Sequence, residues 1–375
     1  MPKQQVALLE PFEHVPADSL LPALRYKVAN LARINPNNPI ADDSWYQTLS
    51  LFGREDLIAA TSLDYKPTGC APLPSAASAM EEIVRRARQT SIVIVNESHE
   101  RSRGRGFTAE IARQLRPLGY DTLALEALTN PPADTYEQYL PSFLAHPDRP
   151  YFEDGDGYYL SEAGYGRLGR QAKALGYRLL QYEIQRDVSK IAGEDQQIAA
   201  REEAQASHLA SFLQKHPTAK LLIHVGYAHA GKVPQSGIKW MAARLKDKTG
   251  IDPLTISQTT CHGGSDAVRL STLPAIPAGI FDLIIDHPTE GFTGGRPNWR
   301  KTAGDRIVAI PRVLRPTRGW RVIEARPLGE PASSVPLDRV AIRPGEDIAL
   351  MLPPGRYHLR IIDVPLGQHD RSTSK

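Results

Sequence analysis

The chain has 375 residues, of which 41% are hydrophobic and 23% charged, and its formal net charge at pH 7 is +3. This composition is typical of globular proteins, and the length suffices for one large domain with a smaller one. The weak, dispersed excess of basic residues gives no support for nucleic-acid binding. No apolar run approaches the roughly 18 residues that span a bilayer. We therefore expect no transmembrane segment.

The N-terminal sequence and the cysteines indicate the compartment. Glu10, Pro11 and Glu13 lie where a signal peptide needs an unbroken apolar stretch. Cys70 and Cys261 form neither a disulfide framework nor a C-x-x-C motif, so we expect no disulfide scaffold and no structural zinc site. As given, the chain is predicted to be cytoplasmic, although a leader removed before this numbering begins would leave no trace in it.

Periodicity divides the chain into three regions. Residues 1–77 contain one predicted helix, 20–34, and are expected to form an N-terminal extension that packs on the core. Residues 78–300 alternate strands and helices, as in an α/β domain. Helices are predicted over 78–92, 107–118, 189–216 and 237–248, and strands over 91–95, 122–125, 176–182, 220–225, 254–257 and 281–285. Short β-branched runs joined by right-handed crossovers predict a mostly parallel sheet with helices on both faces.

Two further segments differ from this alternation. Residues 301–375 are proline-rich with alternating stretches, which predicts antiparallel strands and a small C-terminal β appendage. Residues 128–166 form an insertion rich in tyrosine and phenylalanine. It lies where a loop would cover the carboxyl edge of the sheet, so its aromatic residues would form a substrate wall or lid. The alternative is an ordinary subdomain with its own small core.

Polar side chains follow three of the predicted strands. His99 follows the first strand with Glu97 and Glu100 on either side, Glu126 follows the second, and His229 follows the strand 220–225. In an open α/β sheet, ligands bind outside the carboxyl ends of the strands. A carboxylate that holds an imidazole in one tautomer makes it a useful base. These residues therefore form the candidate catalytic set.

Other strand ends add candidates. Strand alternation places His224 in the core or behind the site, and leaves His229 for chemistry. His262 and His287 also follow strands, an arrangement that metal binding or acid–base chemistry would use. The candidate substrate contacts are Arg105, Tyr227, Glu183, Arg201 and His287.

A glycine-rich stretch at 104–109 matches G-x-G-x-x-A, and Glu126 follows Gly106 at the spacing of a dinucleotide fingerprint. That fingerprint needs its first glycine directly after the strand, and eight residues intervene here. The other interpretation is a flexible loop that grips an anionic part of a ligand.

The ordered motifs Asn96-Glu97-Ser98-His99, Glu126 and Gly226-Tyr227-Ala228-His229 resemble those of the erythromycin esterase/ChaN-like superfamily, which also includes the TraB/TIKI proteases. The resemblance covers roughly residues 90–290, and Asn96 stands where the family usually has glycine. It implies a three-layer α/β/α sandwich. The esterase branch hydrolyses lactone esters with a histidine-activated water, the TraB/TIKI branch cleaves peptides with a divalent metal, and the ChaN branch is linked to haem binding.

These observations lead to the hypothesis of a hydrolase that cleaves an ester, lactone or amide bond in a small molecule or peptide. His99 would be the general base, Glu97 or Glu126 would orient it, and His229 would polarise the carbonyl or protonate the leaving group. If the reaction is metal-dependent, His99, His229 and Glu126 would hold zinc or manganese. The alternatives are a ChaN-like haem- or iron-binding protein, with His229 or Tyr227 on the iron, and a catalytically inactive scaffold. The oligomeric state is not indicated.

Overall fold

The structure is a computed structural model that describes residues 7–74, 77–185, 189–235 and 237–366. In these ranges the helices are α1 (Pro22–Leu31), α2 (Tyr46–Leu51), α3 (Glu55–Ile58), α4 (Ala79–Ala87), α5 (Arg103–Leu115), α6 (Ser142–Ala145), α7 (Ala163–Ala174), α8 (Glu194–Lys215), α9 (Met241–Thr249) and α10 (Trp299–Thr302). The strands are β1 (Ala7–Pro16), β2 (Ala71–Pro72), β3 (Ile92–Glu97), β4 (Thr122–Leu125), β5 (Arg178–Leu180), β6 (Leu221–Gly226), β7 (Leu254–His262), β8 (Arg269–Thr272), β9 (Leu283–His287), β10 (Phe292–Thr293), β11 (Arg296–Pro297), β12 (Arg306–Ala309), β13 (Arg321–Pro327), β14 (Asp338–Ile342), β15 (Ala349–Leu352) and β16 (Gly355–Asp363).

The largest sheet has eight strands in the spatial order β2-β8-β9-β7-β3-β6-β4-β5. From β9 to β5 the neighbouring strands are parallel, whereas β8 pairs antiparallel with β9 and with β2. The prediction of a mostly parallel α/β sheet is confirmed. The three-layer arrangement and the separate C-terminal appendage stay predictions.

The continuous apolar run of β3 follows from its position inside the sheet. Val93 and Val95 pack in one apolar cluster with residues of α4, α5 and α7. Ile92 and Ile94 pack in another with residues of α8 and α9. Because successive side chains of a strand point to opposite faces, a strand covered on both faces needs an apolar residue at every position.

The two ends of the chain meet in a second sheet, with the order β1-β16-β13-β14. Strand β1 pairs in parallel with β16, and β16 pairs antiparallel with β13. Leu24 of α1 shares an apolar cluster with Val322 and Ile362 of these strands. The N-terminal segment therefore packs with the C-terminal strands. The domain boundaries at 77 and 300 stay predictions.

Helix α5 begins four residues before its predicted start at residue 107, so the interpretation of residues 104–106 as a flexible loop is wrong. The carbonyl of Ser102 accepts hydrogen bonds from the amides of Arg105 and Gly106, which closes the first helical turn. A Cβ on Gly106 would lie 2.3 Å from the ring of Trp299. The glycine is thus required by packing rather than by loop flexibility. Helix α8 in turn begins later than predicted, at Glu194, after Gly193 with a φ of +86°.

Cys70 and Cys261 form a disulfide, contrary to the expectation from the sequence. They are 191 residues apart, so no local spacing reveals the pair. Strand β7 carries Cys261, and the segment before the edge strand β2 carries Cys70. The folding of the main sheet brings the two together.

The aromatic insertion has no separate core among the described residues. Phe143, Phe152 and Tyr165 belong to the same apolar cluster as the strands of the main sheet. The insertion is therefore anchored to the sheet, and its residues 158–165 lie beside the candidate site. No helix in the described ranges is long and apolar enough to cross a membrane.

Candidate active site

The three predicted motifs meet because β3, β6 and β4 are neighbours in the sheet. In the pairing register Glu97, the last residue of β3, lies opposite Gly226 of β6. The amide of Glu126, which follows β4, donates to the carbonyl of His224 at 3.1 Å. The loops that carry His99, Glu126 and His229 thus leave the same edge side by side, as predicted for parallel strands.

Glu97 is fully buried and is surrounded by partners. Its carboxylate oxygens lie 2.8 Å from Nε of Arg105, 2.7 Å from the hydroxyl of Tyr165, which donates, and 3.4 Å from Nε2 of His224. Burial by itself would raise the pKa of Glu97, but Arg105 and His224 outweigh it and hold this pKa well below its usual range. Glu97 is therefore an ionised, immobile carboxylate, and Oε1 lies 3.2 Å from Nδ1 of His99.

The imidazole of His99 is held by aromatic rings as well as by Glu97. It stacks on Tyr159 with 4.3 Å between ring centres, and Tyr227 meets it edge-on at 5.2 Å. Because Nδ1 faces Glu97, this nitrogen carries the proton in the neutral ring and Nε2 has the lone pair. This is the orientation that a general base requires.

Gly226 lies beside the edge of the imidazole that carries Nε2. A Cβ on this glycine would lie 2.9 Å from Nε2 of His99 and 3.3 Å from Oε2 of Glu126. The imidazole and the carboxylate therefore both lie close to Gly226, at distances that only a residue without a side chain allows. The amide of Gly226 also donates to Oε2 of Glu126 at 2.6 Å, which fixes the carboxylate beside that point.

Glu126 is the second carboxylate near His99. Burial would raise its pKa, but His229, Arg201 and His99 lower it to about 2. Arg201 donates to Oε1, and Nε2 of His229 lies 3.4 Å from the same oxygen. Glu126 is thus ionised at neutral pH and has Oε2 toward His99 and Oε1 toward Arg201 and His229.

His229 is held from the opposite side by Glu202 of α8. Its Nδ1 lies 2.6 Å from Oε1 of Glu202, although the ring N–H is poorly aligned and the contact is best described as an ion pair. Burial lowers the pKa of His229, but Glu126 and then Glu202 more than offset this, and the pKa is raised. The two carboxylates thus favour the protonated form of His229, whereas Arg201, with Nη1 3.2 Å from Nε2, opposes it.

Arg201 links the site to a cleft of about 600 Å³. Its Nε lies 3.1 Å from both oxygens of Glu183, in addition to its bond to Glu126. Tyr158 and Tyr159 of the insertion form part of the wall. The cleft is lined by Glu126, Ala127, Leu128, Thr129, Asn130, Pro131, Pro132, Thr135, Tyr158, Tyr159, Glu183, Ile184, Gln185 and Arg201.

Three predicted substrate contacts, Arg105, Tyr227 and His287, do not line this cleft, whereas Glu183 and Arg201 do. Arg105 is completely buried between Glu97 and Glu162, so it holds Glu97 in place from behind and has no surface for a substrate. His287 lies at the end of β9, where its Nε2 is 2.8 Å from Oε1 of Gln258 and its ring meets Phe107. His224, predicted to lie in the core or behind the site, is buried against Glu97.

Four residues of the site were not identified from the sequence. Tyr159 and Tyr165 belong to the aromatic insertion, whose composition gave a signal for the segment but not for these positions. Glu202 lies on α8 one residue after Arg201 without any motif. Asp64, which accepts a hydrogen bond from the hydroxyl of Tyr227 at 3.0 Å, comes from the N-terminal region and had no signal.

The residues present do not fit a metal ion at the predicted trio. Arg201 already places a guanidinium between Glu126 and His229, with Nη1 3.2 Å from Nε2 of the histidine. Across the ranges that the structure describes, no group of three His, Cys, Asp or Glu side chains is arranged to hold a metal. Haem fits no better, because His229 is engaged in this way and the Tyr227 hydroxyl is bonded to Asp64. We derive no step through either group.

Fold and site together define an α/β protein with a cluster of histidines and carboxylates at the carboxyl edge of a mostly parallel sheet. No protein-family model and no curated protein sequence matches the chain. Among solved structures, it is similar to the type III effector HopBA1, with 14% identity, a TM-score of 0.37, and coverage of 58% of this chain and 97% of that one.

Two other solved structures show likeness of the same degree. ChaN of Campylobacter jejuni, described with cofacial haem binding, has 11% identity and a TM-score of 0.37 over 55% of this chain and 90% of its own. RRSP, a MARTX toxin effector domain from Vibrio vulnificus, has 18% identity and a TM-score of 0.37 over 58% of this chain and 44% of its own. This chain thus spans less than half of that toxin chain. Likeness this weak supports no statement about activity.

Proposed function

We propose that the protein is a hydrolase that cleaves an ester, lactone or amide bond with a histidine-activated water. One observation carries the proposal: His99 is oriented by the buried Glu97 and stacks on Tyr159, which lines the cleft together with Glu126. A base held in one tautomer beside a cavity is the minimum that such a reaction needs.

The residues act in a defined order in this proposal. Nε2 of His99 takes a proton from water, while Glu97 stabilises the imidazolium through Nδ1–H. The water oxygen attacks the carbonyl carbon, and the tetrahedral intermediate collapses when His99 returns the proton to the leaving oxygen or nitrogen. Glu126, ionised at neutral pH, accepts the second hydrogen bond of the water.

His229 and Arg201 supply positive charge at the same point. The raised pKa of His229 and the permanent charge of Arg201 suit them to stabilise the oxyanion or to protonate the leaving group, once substrate displaces part of their contact with Glu126. The wall formed by tyrosines and prolines suits a substrate with flat or apolar groups, either a small molecule or a peptide.

The test is hydrolysis of a panel of esters, lactones and peptides by the wild type and by His99→Ala. We expect the substitution to lower kcat by about 10²- to 10⁴-fold without loss of the folded state. His216→Ala is the matched control, because this exposed histidine ends α8 away from the site, and it should behave as the wild type.

The same assay distinguishes the alternatives. Activity that persists in His99→Ala would contradict the assignment of the base. If activity is lost on dialysis against EDTA and restored by zinc or manganese, the reaction depends on a metal and the proposed metal-independent mechanism is wrong. A Soret band that titrates to one haem per chain, with no turnover of any substrate, would favour the haem-binding alternative.

A further inference from the structure

The segment 62–70 contacts the loop that carries His99. Its Asp64 accepts hydrogen bonds at the same oxygen, Oδ2, from the hydroxyls of Ser98 and Tyr227. Ser98 precedes His99 in the chain, and the ring of Tyr227 meets the imidazole of His99 edge-on. Asp64 thus holds both the loop that carries the histidine and one of the rings that contact it.

Further bonds connect the same segment to that loop. Ser62 donates to the carboxylate of Glu100, and the hydroxyl of Tyr65 donates to the carbonyl of Glu100 at 2.9 Å. The segment therefore contacts the residues on both sides of His99. The backbone of Tyr227 is also held in an unfavourable conformation. Its φ of +31° is the only positive value at a non-glycine residue in the described ranges, and such a conformation persists only when the surrounding contacts hold it.

The disulfide holds this segment in position. Cys70, at its end, is bonded to Cys261 of β7, and two hydrogen bonds at 2.9 Å join Thr68 to the backbone of His262 beside it. Beyond Cys70 only the two-residue strand β2 pairs with the sheet. Without the disulfide only non-covalent contacts hold the segment, namely the hydrogen bonds described above and the short edge pairing of β2. Such a segment opens at a lower free-energy cost than one that is also covalently fixed.

We propose that the Cys70–Cys261 disulfide is a redox-dependent clasp that makes Asp64 a positioning residue for His99. In the oxidised protein the clasp keeps Asp64 on Ser98 and Tyr227. Reduction by a dithiol transfers two electrons and two protons to the cysteines, gives two thiols and the oxidised reagent, and releases the segment. The effect on turnover rests on the proposed function, whereas the effect on the loop does not.

The first test measures the clasp without any substrate. Thiols of the air-oxidised, denatured full chain are counted, and hydrogen exchange of residues 62–70 and 98–100 is compared before and after treatment with dithiothreitol. We expect no free thiol before reduction, two after it, and exchange in both segments faster by about tenfold while β3 and β6 stay protected. Two free thiols in the oxidised chain, or unchanged exchange at 98–100, would overturn the proposal.

The second test uses variants at Asp64 in protein whose disulfide is intact. Because both donors share one oxygen of Asp64, Asp64→Asn can keep both bonds, whereas Asp64→Ala cannot. We expect faster exchange at 98–100 and lower kcat with little change in KM in Asp64→Ala, and recovery in Asp64→Asn. Asp266→Ala, at an exposed aspartate, is the control. Equal behaviour of the alanine and asparagine variants would overturn the positioning role.

The outcomes separate the two proposals. If hydrogen exchange becomes faster on reduction but the protein hydrolyses none of the substrates, the clasp is supported and the proposed function is contradicted. Hydrolysis that is unaffected by reduction, with unchanged exchange, would keep the proposed function and remove the clasp. Reduction of the folded wild type decides between them without any substitution of the cysteines.

Discussion

Gly226 decides how closely His99 and Glu126 approach each other. Its φ is −79°, so alanine is compatible with the backbone, and only the added methyl group matters. That methyl would lie 2.7 Å from Cε1 of His99, closer than real contacts allow, so the imidazole must turn away. The position thus offers a test that changes the geometry of the base without removing any functional group.

We expect Gly226→Ala to lower kcat by about 10²-fold, because a displacement of about 1 Å of a catalytic group costs that much. Steady-state kinetics and a thermal melt would be measured together. Gly155→Ala is the control, since a Cβ there meets nothing within 4 Å. An unchanged kcat in Gly226→Ala would show that activity does not depend on the close approach of His99 and Glu126 at Gly226.

The pH dependence of stability should report Glu126. Its pKa is about 2 in the folded protein and about 4.3 when unfolded. Because folding depresses this pKa, the ionised carboxylate contributes stability in full above the unfolded value, and the contribution is lost as the pH falls through the folded value. Between about pH 6 and pH 3 the wild type should lose about 2 kcal/mol more unfolding free energy than Glu126→Gln.

Urea denaturation of both proteins at each pH measures this difference. Parallel losses in the wild type and the variant would mean that Glu126 is not held ionised by His229 and Arg201. The variant also changes the surroundings of His229, whose pKa Glu126 helps to raise. The titration of His229 should therefore be recorded in both proteins to keep the two contributions apart.

Among the elements, α5 has the clearest link to the site. Its first turn brings Arg105 to Glu97, while Arg113 on the same helix pairs with Glu110 at the surface. The loss of one partner of a buried ion pair leaves a charge without compensation, which costs far more than the loss of a surface pair. The two arginines therefore make a matched comparison within one helix.

We expect Arg105→Met to lower the free energy of unfolding by about 3–5 kcal/mol, because the carboxylate of Glu97 is left buried without its cation. Arg113→Met should show no measurable change. Equilibrium denaturation of the two variants tests this, and a loss in Arg105→Met no larger than that in Arg113→Met would be inconsistent with a buried, ionised Glu97.

At the scale of the whole molecule, contacts cross the predicted domain boundary at residue 300. Asp154 of the insertion is fully buried and its carboxylate lies 2.9 Å from Arg339 of β14. Arg300 pairs with Asp338 at 2.5 Å in the same region. A chain cut at residue 300 would leave Asp154 buried without its cation and would expose apolar surface that now packs against the second sheet.

We therefore expect the fragment 78–300 to lack the cooperative unfolding transition of the full chain. Circular dichroism at increasing urea concentration, with the full chain as the reference, measures this. A cooperative transition of the fragment would show that the α/β region folds independently, as the boundaries predicted from the sequence imply.

The disulfide also bears on the cellular location that the sequence predicts. Disulfides persist in oxidising compartments and are rare in the cytosol, so the bond between Cys70 and Cys261 disagrees with the cytoplasmic location expected from the sequence. Two isolated cysteines gave no reason to expect a bond, since a pairing over such a distance is set by the sheet topology and by nothing local.

The sequence by itself determined the strands and the residues that follow them. A strand that is covered on both faces is visible in the sequence as a continuous apolar run, as in β3. Because parallel strands end at the same edge of a sheet, His99, Glu126 and His229, which follow three such strands, are expected to lie close together. These signals are local or depend on one general property of sheets, which is why the mostly parallel α/β sheet was predicted correctly, while the catalytic roles of the residues at its edge stay predictions.

Only the tertiary structure decided which groups surround that cluster. Arg105 was expected at a substrate and is instead buried behind Glu97, because α5 begins at residue 103. Tyr159 stacks on His99 and Asp64 holds Tyr227 from segments far away in the chain. Such contacts depend on how distant segments pack and leave no periodic trace, so composition and spacing could indicate the site but not its surroundings.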